Sequence, residues 1–158
     1  MPYNMNILTI VRFTNVILVA LLAGVSLGIW IGFNPKDLPY DTFVGQQQNM
    51  LGSLRQLMVA LVVLATLVTM VSAFLQRHNK LSFILLLSAS LFLIGCILIT
   101  ALGNKPIDDM VMTWTAQSAP DGWTGIRDKW WTLHILRTLT ELIALCLVTG
   151  TAIKKTGT

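Results

Sequence analysis

Four stretches of this sequence, residues 8–33, 54–75, 81–103 and 131–153, are each long and apolar enough to cross a lipid bilayer. A spanning helix needs about 20 consecutive, mostly apolar residues, and no other feature of the chain restricts its fold as strongly. Transmembrane β-strands would show short segments alternating between apolar and polar side chains, and the run 81–99 does not alternate. Charged residues make up 11% of the chain, where a soluble domain carries about 25%. A water-facing surface cannot be assembled from so few charges. The expected fold is all-α: a membrane-embedded antiparallel four-helix bundle forming a single transmembrane domain over residues 1–158. Only Gln76, Arg77, His78, Asn79 and Lys80 separate the second and third stretches, which makes them a hairpin. The first stretch has no basic segment before it and no clear cleavage site, so it reads as a retained helix rather than a signal peptide.

Charge placement gives an expected orientation. Arg12, Arg77, Lys80, Lys154 and Lys155 fall at one end of the helices without acidic neighbours. All six aspartates, at 37, 41, 108, 109, 121 and 128, fall in the connections 34–53 and 104–130. The positive-inside rule then puts both termini in the cytoplasm and these two connections on the exoplasmic side of a multi-pass protein of the cell membrane. The net charge of +4 is mostly this signal, and no concentrated basic face is present, so no nucleic-acid partner is expected.

Cys96 and Cys146 sit on different helices at depths differing by about 12 Å, taken from a rise of 1.5 Å per residue. A disulfide tolerates a Cα separation of about 7 Å, so the two read as small core residues and not as a redox pair. The two histidines, His78 and His134, belong to opposite ends of the bundle. No spacing of the Cys-x-x-Cys, His-x-x-x-His or Glu-x-x-His type occurs, and no metal site is expected.

In the first helix Ala20, Gly24, Gly28 and Gly32 recur every four residues. Such a ridge lets a neighbouring helix approach closely, either inside the bundle or in a homo-oligomer. The fourth helix is more specific. On a wheel of 100° per residue, Arg127, Trp130, His134, Arg137, Thr138 and Glu141 share an arc of about 100°, and the other faces suit lipid. Glu141 is the only glutamate and falls near the bilayer midplane. A carboxylate there costs several kcal/mol on insertion scales, so it must face inward and find a partner, with Arg137 one turn away. Two readings follow: a pair that pins the bundle, or a polar pocket open toward the exoplasmic side. Arg55, Asn104, Trp123, Arg127, Trp130 and Trp131 cluster toward that side, and all five tryptophans lie there, whereas an aromatic belt marks both interfaces.

The run Asn104-Lys105-Pro106-Ile107-Asp108, followed by Trp123, Arg127, Trp130, His134 and Arg137-Thr138, resembles the anthrone oxygenase-like family of small four-helix membrane proteins. The glycine-bearing first helix and the Gln-rich approach to the second extend the resemblance over nearly the whole chain. One departure is His134, at a position where the family often carries asparagine. The resemblance implies an oxidoreductase that oxidises a hydrophobic aromatic substrate of the anthrone type with dioxygen as co-substrate and no cofactor. In that reading His134 is the general base, Arg137 holds the developing oxyanion with help from Arg55, and Glu141 orients Arg137. Trp130 and Trp131 supply a stacking wall, with Asn104, Trp123 and Arg127 at the rim. The competing expectation is a non-catalytic partner or scaffold subunit, or a module that binds a lipid or quinone. Expected partners are the bilayer, a hydrophobic small molecule and a second copy through Gly24, Gly28 and Gly32. A transporter is disfavoured, since the chain shows neither an internal repeat nor a broken helix.

Overall fold

A computed structural model describes residues 7–153, so Lys154 and Lys155 of the orientation argument lie outside the described residues. Five α-helices follow one another: α1 (Ile7–Gly32), α2 (Tyr40–Leu75), α3 (Lys80–Ile99), the short α4 (Lys105–Val111) and α5 (Trp123–Ile153). A π-helical turn, Thr100–Asn104, joins α3 to α4 without a break. Four helical segments, with α3 to α4 counted as one, are long and apolar enough to cross a membrane. The chain is an all-helical, multi-pass membrane protein, with no strand among the described residues.

Helices extend beyond the apolar stretches. Residues 40–53 continue α2 upstream, and 105–111 and 123–130 are helical within the second connection. Apolar length marks only the part of a helix that meets lipid, whereas its backbone hydrogen bonds continue into the interface. Gln46, Gln47 and Gln48, adequate helix formers, carry α2 onward there. Asn79 ends the short turn by accepting a hydrogen bond from the Ser82 N–H at 3.1 Å, the usual N-cap arrangement. Gly122, at a φ of 72°, makes the left-handed step just before α5.

The long helices pack as a ring, α1 on α2, α2 on α3, α3 on α5 and α5 on α1. Large apolar side chains such as Phe13, Leu91 and Leu102 point outward, whereas Asn15, Thr69, Ser72, Ser90, Thr138 and Glu141 are buried. This distribution suits lipid as solvent, because polar groups find partners only between helices. Arg12 bonds Gln76 Oε1 through both Nε and Nη2, and Gln76 Nε2 donates to Ser72 Oγ at 3.0 Å, which ties α1 to the end of α2. One apolar cluster (Val19, Leu61, Ala65, Leu86, Leu93, Val148) fills the ring toward Gln76. A second (Ile29, Phe43, Ile107, Val111, Trp131) fills it toward α4.

The glycine ridge does not pack the bundle. Gly24, Gly28 and Gly32 are exposed, and a methyl group added at any of them meets nothing within 4 Å. Spacing alone could not decide which side of α1 the other helices would cover. Gly103, in the π turn, is the glycine that a close approach requires, since a Cβ there would lie 2.9 Å from Leu133 Cδ1 on α5. Gly103→Val should therefore lower the melting temperature in detergent, because overpacking typically costs about 1–3 kcal/mol. Adding Leu133→Ala should restore much of that loss; an unchanged melting temperature in the single variant would show that the contact is not limiting.

Candidate functional site

The polar face of α5 turns inward, with Arg127, Trp130, His134, Thr138 and Glu141 all buried. It meets a matching stripe on the opposite segment formed by Cys96, Thr100, Asn104 and Asp108, each four residues from the next. In a regular α-helix four residues overshoot one turn by about 40°, so such a stripe drifts around the axis. The wider π turn at Thr100–Asn104 takes up that drift and keeps the row facing α5.

Between the two rows lies a cavity of about 80 Å³ that borders both apolar clusters. Its wall on α2 is apolar (Met50, Leu51, Leu54, Met58, Val59, Val62), and Leu22 and Ile29 of α1 complete that side. Cys96, Asn104, Asp108, Trp130, Arg137 and Glu141 form the polar side, with Arg55 at the end toward α4.

The inner end is built around Glu141, which is fully buried. The Cys96 thiol donates to Glu141 Oε1 at 3.0 Å, and Arg137 Nη1 stands 3.9 Å from the same oxygen. Glu141 Oε2 and Arg137 Nε have no hydrogen-bond partner among the described residues. The Ser26 hydroxyl lies beside this carboxyl, close enough to interact with it. At the other end the Trp130 indole N–H donates to Asp108 Oδ1 at 2.7 Å, and Asn104 Nδ2 donates to the Trp130 carbonyl at 3.1 Å. Asn104 Oδ1 and Arg55 Nη2 are left without partners. Buried polar atoms are nearly always paired, so this many unpaired ones around one cavity marks a place that receives polar atoms from elsewhere, water or ligand.

His134 stands apart from the cavity lining. Its Nε2 is 3.2 Å from the Ser26 carbonyl, which only accepts, so the proton belongs on Nε2. That leaves Nδ1 as the acceptor for Arg137 Nη2 at 3.0 Å. Both ring nitrogens are engaged, and the ring packs flat against Trp130 at 5.3 Å and against Trp131 at 5.6 Å. Here the imidazole aims the guanidinium, and no free lone pair faces a substrate.

The remaining sequence candidates divide in two. Arg55, Asn104, Trp130, Arg137 and Glu141 line the cavity. Trp123, Arg127 and Trp131 do not. Trp123 belongs to an aromatic roof with Tyr40 (5.2 Å) and Phe43 (5.9 Å), and the Arg127 guanidinium covers the Trp123 ring at 5.1 Å. Tyr40 Oη, 2.9 Å from the Ser118 carbonyl, and Gln48 Nε2, donating to the carbonyls of Val111 and Trp114, tie this roof to the connection before α5. Cys96 and Asp108 were not among the site residues expected from the sequence, although the four-residue spacing of Cys96, Thr100, Asn104 and Asp108 was there to read. Among the described residues no three His, Cys, Asp or Glu side chains converge as a metal-ligand set.

No curated protein and no solved structure matches this chain. The anthrone oxygenase family does, over residues 48–147. That stretch holds the whole polar side of the cavity and its apolar wall on α2, leaving the α1 lining residues Leu22 and Ile29 outside it. With well over half of its length matched, the chain belongs to the anthrone oxygenase family.

Proposed function

We propose that this protein is a membrane oxygenase that oxidises a hydrophobic aromatic carbon acid of the anthrone type with dioxygen, in the cavity between α2 and α5. The observation that carries the reading is the pair of unpaired atoms, Glu141 Oε2 and Arg137 Nε, on the polar side of a cavity whose other wall is apolar. An anthrone has an acidic methylene across the ring from its carbonyl. Glu141 is the base that removes one methylene proton, and the negative charge moves to the carbonyl oxygen, where Arg137 holds it. The electron-rich enolate adds dioxygen at the deprotonated carbon, and the proton held by Glu141 returns to make a hydroperoxide. Loss of water from the hydroperoxide leaves a second carbonyl. One dioxygen is consumed, and one water and one quinone are produced. Protein side chains supply the acid–base steps, and no cofactor enters this scheme.

In this reading His134 is a positioning residue, since its Nδ1 fixes Arg137. Arg55 and Asn104 hold polar substituents at the far end, and Trp130 offers a ring edge between the two ends. The volume supports a site that adapts. A dry cavity of about 150 Å³ takes up benzene, so a three-ring substrate requires the flexible thioethers of Met50 and Met58 to move.

The cell membrane is the proposed location, with the Gln76 end of the bundle cytoplasmic and the α4 end exoplasmic. Single cysteines at Asn79 and Gln117, introduced after removal of Cys96 and Cys146, are expected to react with an impermeant reagent from opposite sides. Reaction of both from one side would overturn the orientation.

The function is tested with protein reconstituted in vesicles, anthrone as substrate and an oxygen electrode. Oxygen uptake should exceed that of protein-free vesicles and match anthraquinone formed one to one. Equal rates with and without protein would sink the enzyme reading and leave a non-catalytic lipid- or quinone-binding module, which the engaged nitrogens of His134 also accommodate.

A further inference from the structure

The cavity is not walled equally on all sides. Leu22, Ile29, Cys96, Asn104, Trp130 and Glu141 line it and are buried. The lining residues with an open flank are those of α2 other than Met58, together with Thr100 and, to a small extent, Arg137; Val59, 52% exposed, is the most open of them. The π turn packs on α3, α4 and α5, while α2 stands off from it. A cleft therefore runs from the cavity outward between α2 and the π turn, with Val59 on one lip and Thr100 on the other.

The depth of this cleft follows from the charges above and below it. From Arg77 to Arg55 along α2 is about 33 Å at 1.5 Å per residue, close to the roughly 30 Å of a hydrocarbon core. By the same rise Val59 lies about 6 Å and Val62 about 10 Å inside the level of Arg55. At that level Arg55 Nη1 binds Asp109 at 3.0 Å and Lys105 Nζ binds its other oxygen at 2.5 Å. This ionic bridge joins α2 to α4 directly above the cleft. The roof of Tyr40, Phe43, Trp114 and Trp123 lies above that. The water side is thus spanned by ions and aromatic rings, and the hydrocarbon side is lined by valine and threonine.

We infer that the cavity is reached from within the bilayer, through the cleft between Val59 and Thr100, and that its ligands are uncharged molecules already dissolved in the membrane. This rests on the cavity being the ligand site, but not on any turnover there. A charged or strongly hydrated molecule would have to shed its water in hydrocarbon before reaching the mouth, at a cost that excludes it. An apolar molecule meets no such barrier, and its few polar atoms find the unpaired groups of the site only once inside. The cleft therefore selects for membrane-partitioned compounds before any recognition by Arg137 or Glu141.

Cys96, which lines the cavity, reports the route directly once the other cysteine is removed by Cys146→Ala. The probes are N-phenylmaleimide, which partitions into lipid, and a sulfonated maleimide, which does not, each added to protein in vesicles with both faces accessible. N-phenylmaleimide should modify Cys96, and the sulfonated reagent should be slower by about tenfold or more. Val59→Trp, a lipid-facing change that narrows the lip, should slow N-phenylmaleimide by about tenfold, and Asp109→Asn should not speed up the sulfonated reagent. Should Val59→Trp fail to fold, Val59→Phe carries the same comparison. Equal labelling by both reagents or indifference to the lip substitution would each overturn the inference. Should Cys96, buried and engaged with Glu141, react too slowly to read, Thr100→Cys in a protein lacking Cys96 and Cys146 carries the same comparison, and failure of N-phenylmaleimide to modify that thiol would overturn the inference as well. Labelling reads access and not catalysis, so its outcome is separate from that of the oxygen measurement.

Discussion

Arg137→Gln is expected to reduce anthrone-dependent oxygen uptake about a hundred- to a thousandfold, the usual effect of removing one donor to a developing oxyanion. Glutamine retains hydrogen bonding but not the charge that the enolate needs. Glu141→Gln should lose about as much or more, since a positioned base contributes about 10²–10⁴-fold. His134→Asn should cost far less, because an amide can still accept from Arg137 and donate to the Ser26 carbonyl, the two bonds that imidazole makes. This order of effects distinguishes a carboxylate base from a histidine base. A His134→Asn protein as inactive as Glu141→Gln would return the base to His134.

Glu141→Leu is expected to produce the largest loss of stability. It removes the carboxylate 3.9 Å from Arg137 and also strands the Cys96 thiol, which donates to Glu141 Oε1. Breaking one side of a buried ion pair typically costs about 3–5 kcal/mol, and less where the cation can reach the interface. Arg137 retains its bond to His134 and 13% side-chain exposure, so some of that relief is available. Arg137→Leu combined with Glu141→Leu should recover part of the loss. A double variant whose melting temperature falls by the sum of the two singles would show that the residues do not interact.

The helical architecture could be read from apolar length, and the inward face of α5 from its spacing. Arg127, Trp130, His134, Thr138 and Glu141 are buried as the wheel requires. What the wheel could not show is how each nitrogen or oxygen is used. His134 looked like a base because its type and position suit one, yet its tautomer is fixed by the carbonyl of Ser26, 108 residues earlier. Cys96 looked like filler for a similar reason, because a partner on another helix leaves no mark in the local sequence. The glycines of α1 show the opposite case: their periodicity was clear, but nothing local told which way the ridge would face. Patterns within one helix were legible, and pairings between helices were not.

The π turn at Thr100–Asn104 makes the site sensitive to the winding of the backbone and not to composition alone. Were the same residues to wind as an ordinary α-helix, everything beyond the turn would rotate by about the 100° that one residue sweeps. Asn104 and Asp108 would swing away from Trp130, and Asp109 from Arg55, although every side chain named in the site would still be present. The two ends of the cavity are thus carried on separate pieces of one rod, with the π turn setting the angle between them. Chains that share this polar row but run through it as a regular α-helix would present a differently shaped far end to the same Glu141 and Arg137.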